Sequence, residues 1–366
     1  MHKYRNQIIG GLALTFAIYT GLLIATDTST QFGDGVLAAI RDFPAWLVPA
    51  LILTQVSAGF FRFLEWHYYL GVIEARDKIS LKDSIVIFVA TFTMAVSPGK
   101  VAEVLKSVLL KMKTGVLIAR SAPVVLAERV VDGLAVIVTL TLTLLFASDL
   151  LMLNHLPEPL TLNAIRGLIF TSAALLLGGL VIVQIKPLAY FCLRSMGMIP
   201  LLRRLQKPLT IFYESSREVF QLRHVIPTTI MGMGVYASST LGFVLVLWGF
   251  DVAVTPTLIA QLALIVGVAS AIGALSFVPN GAGVTEVSNY ALLMALVAPA
   301  NPELTPAVAG AAALIQGFFH KWFRVIVGMG VAFIYRRQLF TTELNTELAM
   351  LDNTSPQPEA AGANFR

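Results

Sequence analysis

Apolar stretches about as long as a bilayer is thick recur along most of this chain. That recurrence constrains its fold more than any single motif. A helix crossing the hydrocarbon core needs about 20 mostly apolar residues, and six stretches meet that requirement well: 7–26, 44–61, 127–147, 163–185, 225–249 and 257–277. Shorter or interrupted runs occupy 84–97, 284–298, and the pair 306–319 and 322–335. The runs are continuous rather than alternating, and lipid accepts only helices or closed barrels, so strands are not expected. The expected fold is an all-α polytopic membrane protein of about eight crossings, with one or two partial or broken helices. Composition agrees: the 366 residues are 57% hydrophobic and only 13% charged, with a mean hydropathy of +0.78. One soluble core could not cover so much apolar surface, and disordered chains have the opposite composition. Cys192 is the single cysteine, which excludes an intrachain disulfide and a Cys-rich metal site.

Lysine and arginine in short loops set orientation. Lys3 and Arg5 precede the first run, which reads as a retained span rather than a cleaved signal because it lacks a clear small-x-small site. Arg62, Arg76, Lys78 and Lys82 follow the second run, seven Lys or Arg residues lie in 186–224, and Arg336 and Arg337 follow the last. The segments 148–162 and 299–305 have neither residue type. Both termini are therefore expected in the cytoplasm, with the protein multi-pass in the cell (plasma or inner) membrane. The net charge of +5 is then a topogenic signature and calls for no nucleic acid. The basic, amphipathic 200–224 stretch fits an interfacial helix on anionic lipid or plain topogenic charge. Residues 1–340 read as one membrane-embedded domain, and 341–366 as a short disordered tail.

Charges that enter apolar segments are costly, about 2.5–3.5 kcal/mol at a helix centre on insertion scales, and mark function by default. Three clusters do so. In the first, Pro98 and Gly99 interrupt a helix, and Lys100, Glu103 and Lys106 follow on one face at i, i+3 spacing. The second is Glu128, Arg129 and Asp132, which converge on about one helical turn. The third joins a break at Pro279, Gly281 and Gly283, with Glu286 one turn later, to His320, Lys321 and Arg324. Each has a plainer reading: a helix-start ion pair for the second, an N-terminal helix acid for Glu286, a snorkelling cation for Arg324.

The first and third clusters look like two degenerate copies of one arrangement, a Pro/Gly break, then a glutamate, then an arginine at Arg129 or Arg324. Paired broken segments in corresponding halves point to a transporter site near the midplane. The two repeats could be inverted or parallel, and inverted is favoured.

These motifs resemble the membrane domain of the lysylphosphatidylglycerol synthase/flippase proteins and related flippase-like integral membrane proteins. The likeness spans most of 7–337 and rests on P-G-K-V-A-E-V-L-K, E-R-V-V-D-G and V-P-N-G-A-G-V-T-E with the later Arg324. The family often has Gly before the first glutamate and Arg three residues after it, where this chain has Ala102 and Lys106. The soluble aminoacyl-transfer domain of two-domain members is not implied. The resemblance implies lipid substrates such as aminoacyl-phospholipids, polyprenyl-phosphate saccharides or other envelope lipids.

The expected chemistry is therefore translocation of an anionic or zwitterionic lipid through a polar cavity, without catalysis, cofactor or metal. The substrate-binding candidates are Pro98, Gly99, Glu103, Lys106, Glu128, Arg129, Asp132, Pro279, Gly281, Gly283, Glu286, Lys321 and Arg324. Arg129 and Arg324, helped by Lys106 and Lys321, would hold the phosphate, freed backbone amides would add donors, and Glu103, Glu286 and Asp132 would either pair with the arginines when no lipid is bound or contact an amino or sugar group. No Walker-type sequence occurs. Two alternatives stand beside it: an intramembrane headgroup transferase or hydrolase using His67, His155 or His320, and a non-transporting scaffold for enzymes of envelope-lipid synthesis.

Overall fold

The computed structural model describes residues 35–96, 101–147, 151, 162–197, 203–276, 278 and 281–339. The expected span 7–26, the tail 341–366, and Pro98, Gly99 and Pro279 lie outside these. Among the described residues there is no strand. Helix α1 (Val36–Asp42) leads through a 3₁₀ turn into α2 (Val48–Val72). Then come α3 (Leu81–Ala90), a 3₁₀ stretch at Thr91–Val96, α4 (Val101–Thr114), α5 (Ile118–Phe146) and α6 (Leu162–Gln184). The basic middle segment is helical too, as α7 (Lys186–Gly197) and α8 (Arg203–Val219). The second half holds α9 (Leu222–Trp248), α10 (Pro256–Leu275), α11 (Val284–Leu292), α12 (Pro306–Gly317), α13 (Arg324–Ile334) and one turn, α14 (Arg336–Leu339).

Six of the described helical segments are long and apolar enough to span a bilayer: Ala45–Val72, Ile118–Phe146, Leu162–Gln184, Leu222–Trp248, Pro256–Leu275 and Pro306–Ile334. Five of them coincide with expected spans. The sixth merges the expected pair 306–319 and 322–335, because a π-helical stretch at Phe318–Phe323 carries the helix through His320 and Lys321. Such stretches widen a turn without breaking the hydrogen-bonded ladder. The shorter run 284–298 is a lesser apolar helix, Val284–Ala300.

Two spans extend beyond their expected ends and take in charges. Helix α5 starts at Ile118, which puts Arg129 and Asp132 deep within a span. Helix α2 continues to Val72, so Arg62 is not a loop charge, as its place after an apolar run suggested, but lies near mid-helix. The physical reason is that Arg62 has a carboxylate partner on another helix, described below, which a hydropathy sum along one segment cannot register.

Helix α9 packs on α2, α5 and α10. Its small residues permit the close approach. A Cβ at Gly234 would stand 2.8 Å from the Phe61 ring, and one at Gly232 would stand 2.9 Å from Ala135 Cβ and 3.2 Å from Glu65 Oε1. Gly232 therefore sits where α2, α5 and α9 meet. Hydroxyl contacts tie α2 to α9 at both ends, Ser57 to Ser238 at 3.1 Å and Tyr69 to Thr228 at 3.0 Å. Along these two helices, apolar clusters occupy the ends. One holds Leu51, Phe243 and Leu247, the other Trp66, Leu70 and Val225. Between them lies a polar middle that includes Gln55, Arg62, Tyr236 and Ser239. On the outside, Phe60, Phe170, Leu175, Val181, Ile230 and Leu241 are exposed, as expected of side chains facing acyl chains.

Helix α13 lies on α3 and on the 3₁₀ stretch after it. A Cβ at Gly328 would come within 2.9 Å of both Thr93 N and Val89 O. Those are backbone atoms and cannot swing aside. Gly328→Ala is therefore expected to lower stability by about 1–3 kcal/mol, read as a lower unfolding temperature of the detergent-solubilised protein. An unchanged midpoint would show that this contact has slack. The position matters because Gly328 is one turn beyond Arg324.

Candidate functional site

The polar middle of the bundle gathers charge from helices far apart in sequence. Arg62 on α2 places Nη1 2.8 Å from Asp132 Oδ1 and donates to Oδ2 at 2.9 Å. Arg129 on α5 donates to the same Oδ2 at 3.1 Å. One carboxylate is thus shared between two guanidinium groups. Arg62 and Asp132 are largely enclosed, with side chains 14% and 13% exposed, whereas Arg129 is 52% exposed. Arg324 comes from α13 and lies within electrostatic range of Arg62, Arg129, Asp132 and Tyr236. Among the described residues, its Nε and Nη2 are buried with no hydrogen-bond partner, and so is Nε of Arg62. All these residues fall near the middle of their spans.

The electrostatic consequence is a local excess of positive charge. Two guanidinium groups hold Asp132 and a third, that of Arg324, stands nearby, with Glu65 as a further carboxyl. Buried guanidinium N–H groups without acceptors are unfavourable, and Arg presents a planar fork suited to carboxylate or phosphate oxygens. The arrangement therefore suits an anion that takes up the vacant donors. Just beyond it, Gln316 Nε2 donates to Ser239 O at 3.0 Å, and Ser239 Oγ lies 3.3 Å from His320 Nδ1. The side-chain oxygens of Gln55 and Gln316 are buried without partners, which extends the polar region along α2 and α12.

Two buried lysine–glutamate pairs flank this cluster. Lys106 on α4 donates to Glu128 at 2.7 and 2.9 Å. Its ammonium also lies 3.9 Å from the Trp66 ring centroid and 5.0 Å from that of Phe88, a boxed cation stabilised by both ring faces. Trp66 is held by its Nε1 donating to Ser84 at 3.2 Å. In the second pair, Lys321 in the π stretch donates to Glu286 at 2.8 Å, to Gly281 O at 3.2 Å, and to the Thr285 hydroxyl. Glu286 Oε2 accepts from Gly283 N at 2.8 Å, closing the first turn of α11. The turn itself needs glycine: Gly281 and Gly283 have φ of 60° and 81°, and a Cβ at Gly281 would stand 3.1 Å from Gly273 Cα.

Set against the sequence reading, the second cluster divides. Arg129 and Asp132 do converge, but Glu128 turns to Lys106 on another helix. Glu286 meets Lys321 rather than an arginine, and both lysines are occupied by carboxylates. The amide of Gly283 is taken by Glu286 and that of Gly281 by Val278 O at 2.9 Å, so neither is freely presented as a donor. Glu103 lies on α4, its side chain outside the described residues. Arg62 and Glu65 were missed, although their i, i+3 spacing inside the aromatic run F-F-R-F-L-E-W was a legible signal.

A family model described as the lysylphosphatidylglycerol synthase TM region matches residues 8–328. No curated protein and no solved structure matches the chain significantly. With most of its length matched, the chain belongs to the lysylphosphatidylglycerol synthase transmembrane-region family.

Proposed function

We propose that this protein is a lipid translocase that moves a phosphate-headgroup lipid between leaflets. The headgroup passes the arginine cluster while its acyl or prenyl chains stay in lipid. The observation that carries this reading is Arg324, which offers two buried donor atoms without partners beside Arg62 and Arg129. A phosphate oxygen would satisfy them, and binding would loosen the shared grip on Asp132. The half-exposed guanidinium of Arg129 is costly against acyl chains but stable on a polar path, which makes it the point of entry. Membership of a family named for a lipid-modifying enzyme supports a lipid as the cargo.

The two lysine–glutamate pairs support a repeat of the kind the motifs suggest. Each joins the helix after a Pro/Gly break to the span that follows, α4 to α5 and α11 to the Pro306–Ile334 segment, with the signs exchanged. In this reading the pairs hold the broken helices and the arginines meet the cargo. The protein would sit in the cell membrane with both termini cytoplasmic.

The test is reconstitution into liposomes with labelled phosphatidylglycerol or a labelled prenyl phosphate, following headgroup exposure on the far leaflet. Protein-dependent exchange between leaflets is expected. Unchanged exposure across both probes, with folded protein confirmed, would overturn the reading and leave a scaffold. A new lipid product without movement would instead make it a transferase.

A further inference from the structure

Glu65 lies one turn beyond Arg62 on α2 and is 1% exposed. Its Oε1 has no hydrogen-bond partner. A Cβ built on Gly232 would stand 3.2 Å from that oxygen, 2.9 Å from Ala135 Cβ and 3.5 Å from Val131 Cγ1. The oxygen therefore faces the backbone of α9, among apolar side chains of α5. Among the described residues, the charged and titratable groups around Glu65 include Arg62 and Tyr69 on α2, Lys106 on α4, and Glu128, Arg129 and Asp132 on α5. Of these cations, both arginines direct Nη1 to Asp132 and the lysine is bound to Glu128. Burying a carboxylate oxygen with no donor is costly, and a proton taken from water removes that cost.

We propose that Glu65 is a proton-carrying site, and that passage of an anionic phosphate headgroup over the arginine cluster is coupled to binding and release of one proton there. The inference rests on the translocase reading and adds its driving force. The step is a protonation alone, carboxylate plus proton to carboxylic acid, with no other bond made or broken. A phosphate on the arginines brings negative charge beside Glu65, so the bound phosphate and the bound proton stabilise each other, as reciprocal linkage requires. A singly charged headgroup and its proton then cross together without net charge.

Two measurements test this. In liposomes with labelled phosphatidylglycerol and the membrane potential clamped, a pH gradient is expected to shift the final leaflet ratio of the probe, by up to about tenfold per pH unit for one proton per lipid. Glu65→Gln keeps the side chain's size and is expected to lose that shift. In detergent and weak buffer, adding dioctanoyl phosphatidylglycerol to the wild-type protein should remove protons from solution, seen with an indicator dye, and Glu65→Gln should not. If headgroups move but neither the leaflet ratio nor the dye responds, the proton site is overturned and the translocase stands. If the dye responds and no headgroup moves, the proton site stands and the translocase reading fails. A response in Glu65→Gln equal to wild type in both assays would place the proton elsewhere and overturn the assignment.

Discussion

Arg324→Ala is expected to slow headgroup exchange in liposomes by about 100-fold or more while leaving insertion intact. Two guanidinium atoms of Arg324 are buried without partners among the described residues. A hydrogen bond to a charged group contributes about 1.5–3 kcal/mol, and 1.4 kcal/mol is a factor of ten. Losing two such bonds to a phosphate therefore exceeds two decades. The unliganded protein loses little, since those atoms bond to nothing among the described residues, so expression and unfolding temperature should hold. Arg324→Lys separates charge from geometry. A lysine keeps the positive charge but not the planar fork, and its rate should fall between those of wild type and Arg324→Ala. Arg62→Ala should slow exchange as well, at a cost in stability, because it releases Asp132 from its 2.8 Å contact. If Arg324→Ala and Arg62→Ala both exchange headgroups at the wild-type rate, the arginine cluster is not the site.

Lys321→Ala should act in the opposite way, through stability. The ammonium holds Glu286, the carbonyl of Gly281 and the hydroxyl of Thr285, and these are the contacts that close the turn before α11. Removing one member of a buried pair leaves the other charge uncompensated and costs about 3–5 kcal/mol. Replacing both by apolar residues of similar volume is often neutral, so Lys321→Met combined with Glu286→Leu should recover much of the loss. The readout is thermal unfolding in detergent for the two single variants and the double, and strong non-additivity is expected. A Lys321→Ala protein as stable as wild type would show that the pair does not hold the broken helix. Glu286→Ala should then lose function because the protein is destabilised. That outcome is distinguishable from Arg324→Ala, where stability persists and exchange does not.

The proposed division between arginines that would meet cargo and lysines that hold helices is only half visible in the chain. Arg129, Asp132, Lys321 and Arg324 stood out because charge inside apolar runs is rare and costly. Their pairings do not. Lys106 finds Glu128 22 residues on and Glu286 finds Lys321 35 residues on, on different helices, whereas spacing alone groups Glu128 with its neighbours Arg129 and Asp132. Arg62 shows the limit most plainly. It follows an apolar run as a loop charge would, yet it meets Asp132 70 residues away.

What the sequence determined by itself is the class of the molecule and the address of most of its buried charge. Run length decides which helices can span a bilayer, and lipid leaves no other backbone solution for such runs. Which charge is paired, and with what, was decided only by tertiary packing. The small residues of α9 draw α2 and α5 together at Gly232, and that approach gives Arg62 its carboxylate and leaves Glu65 without a donor. Hydropathy sums a property along the chain, whereas the cost of a buried charge depends on the atoms a few ångströms away in space. The charged residues are only 13% of the chain, and the packing of the helices sets what each of the buried ones contacts.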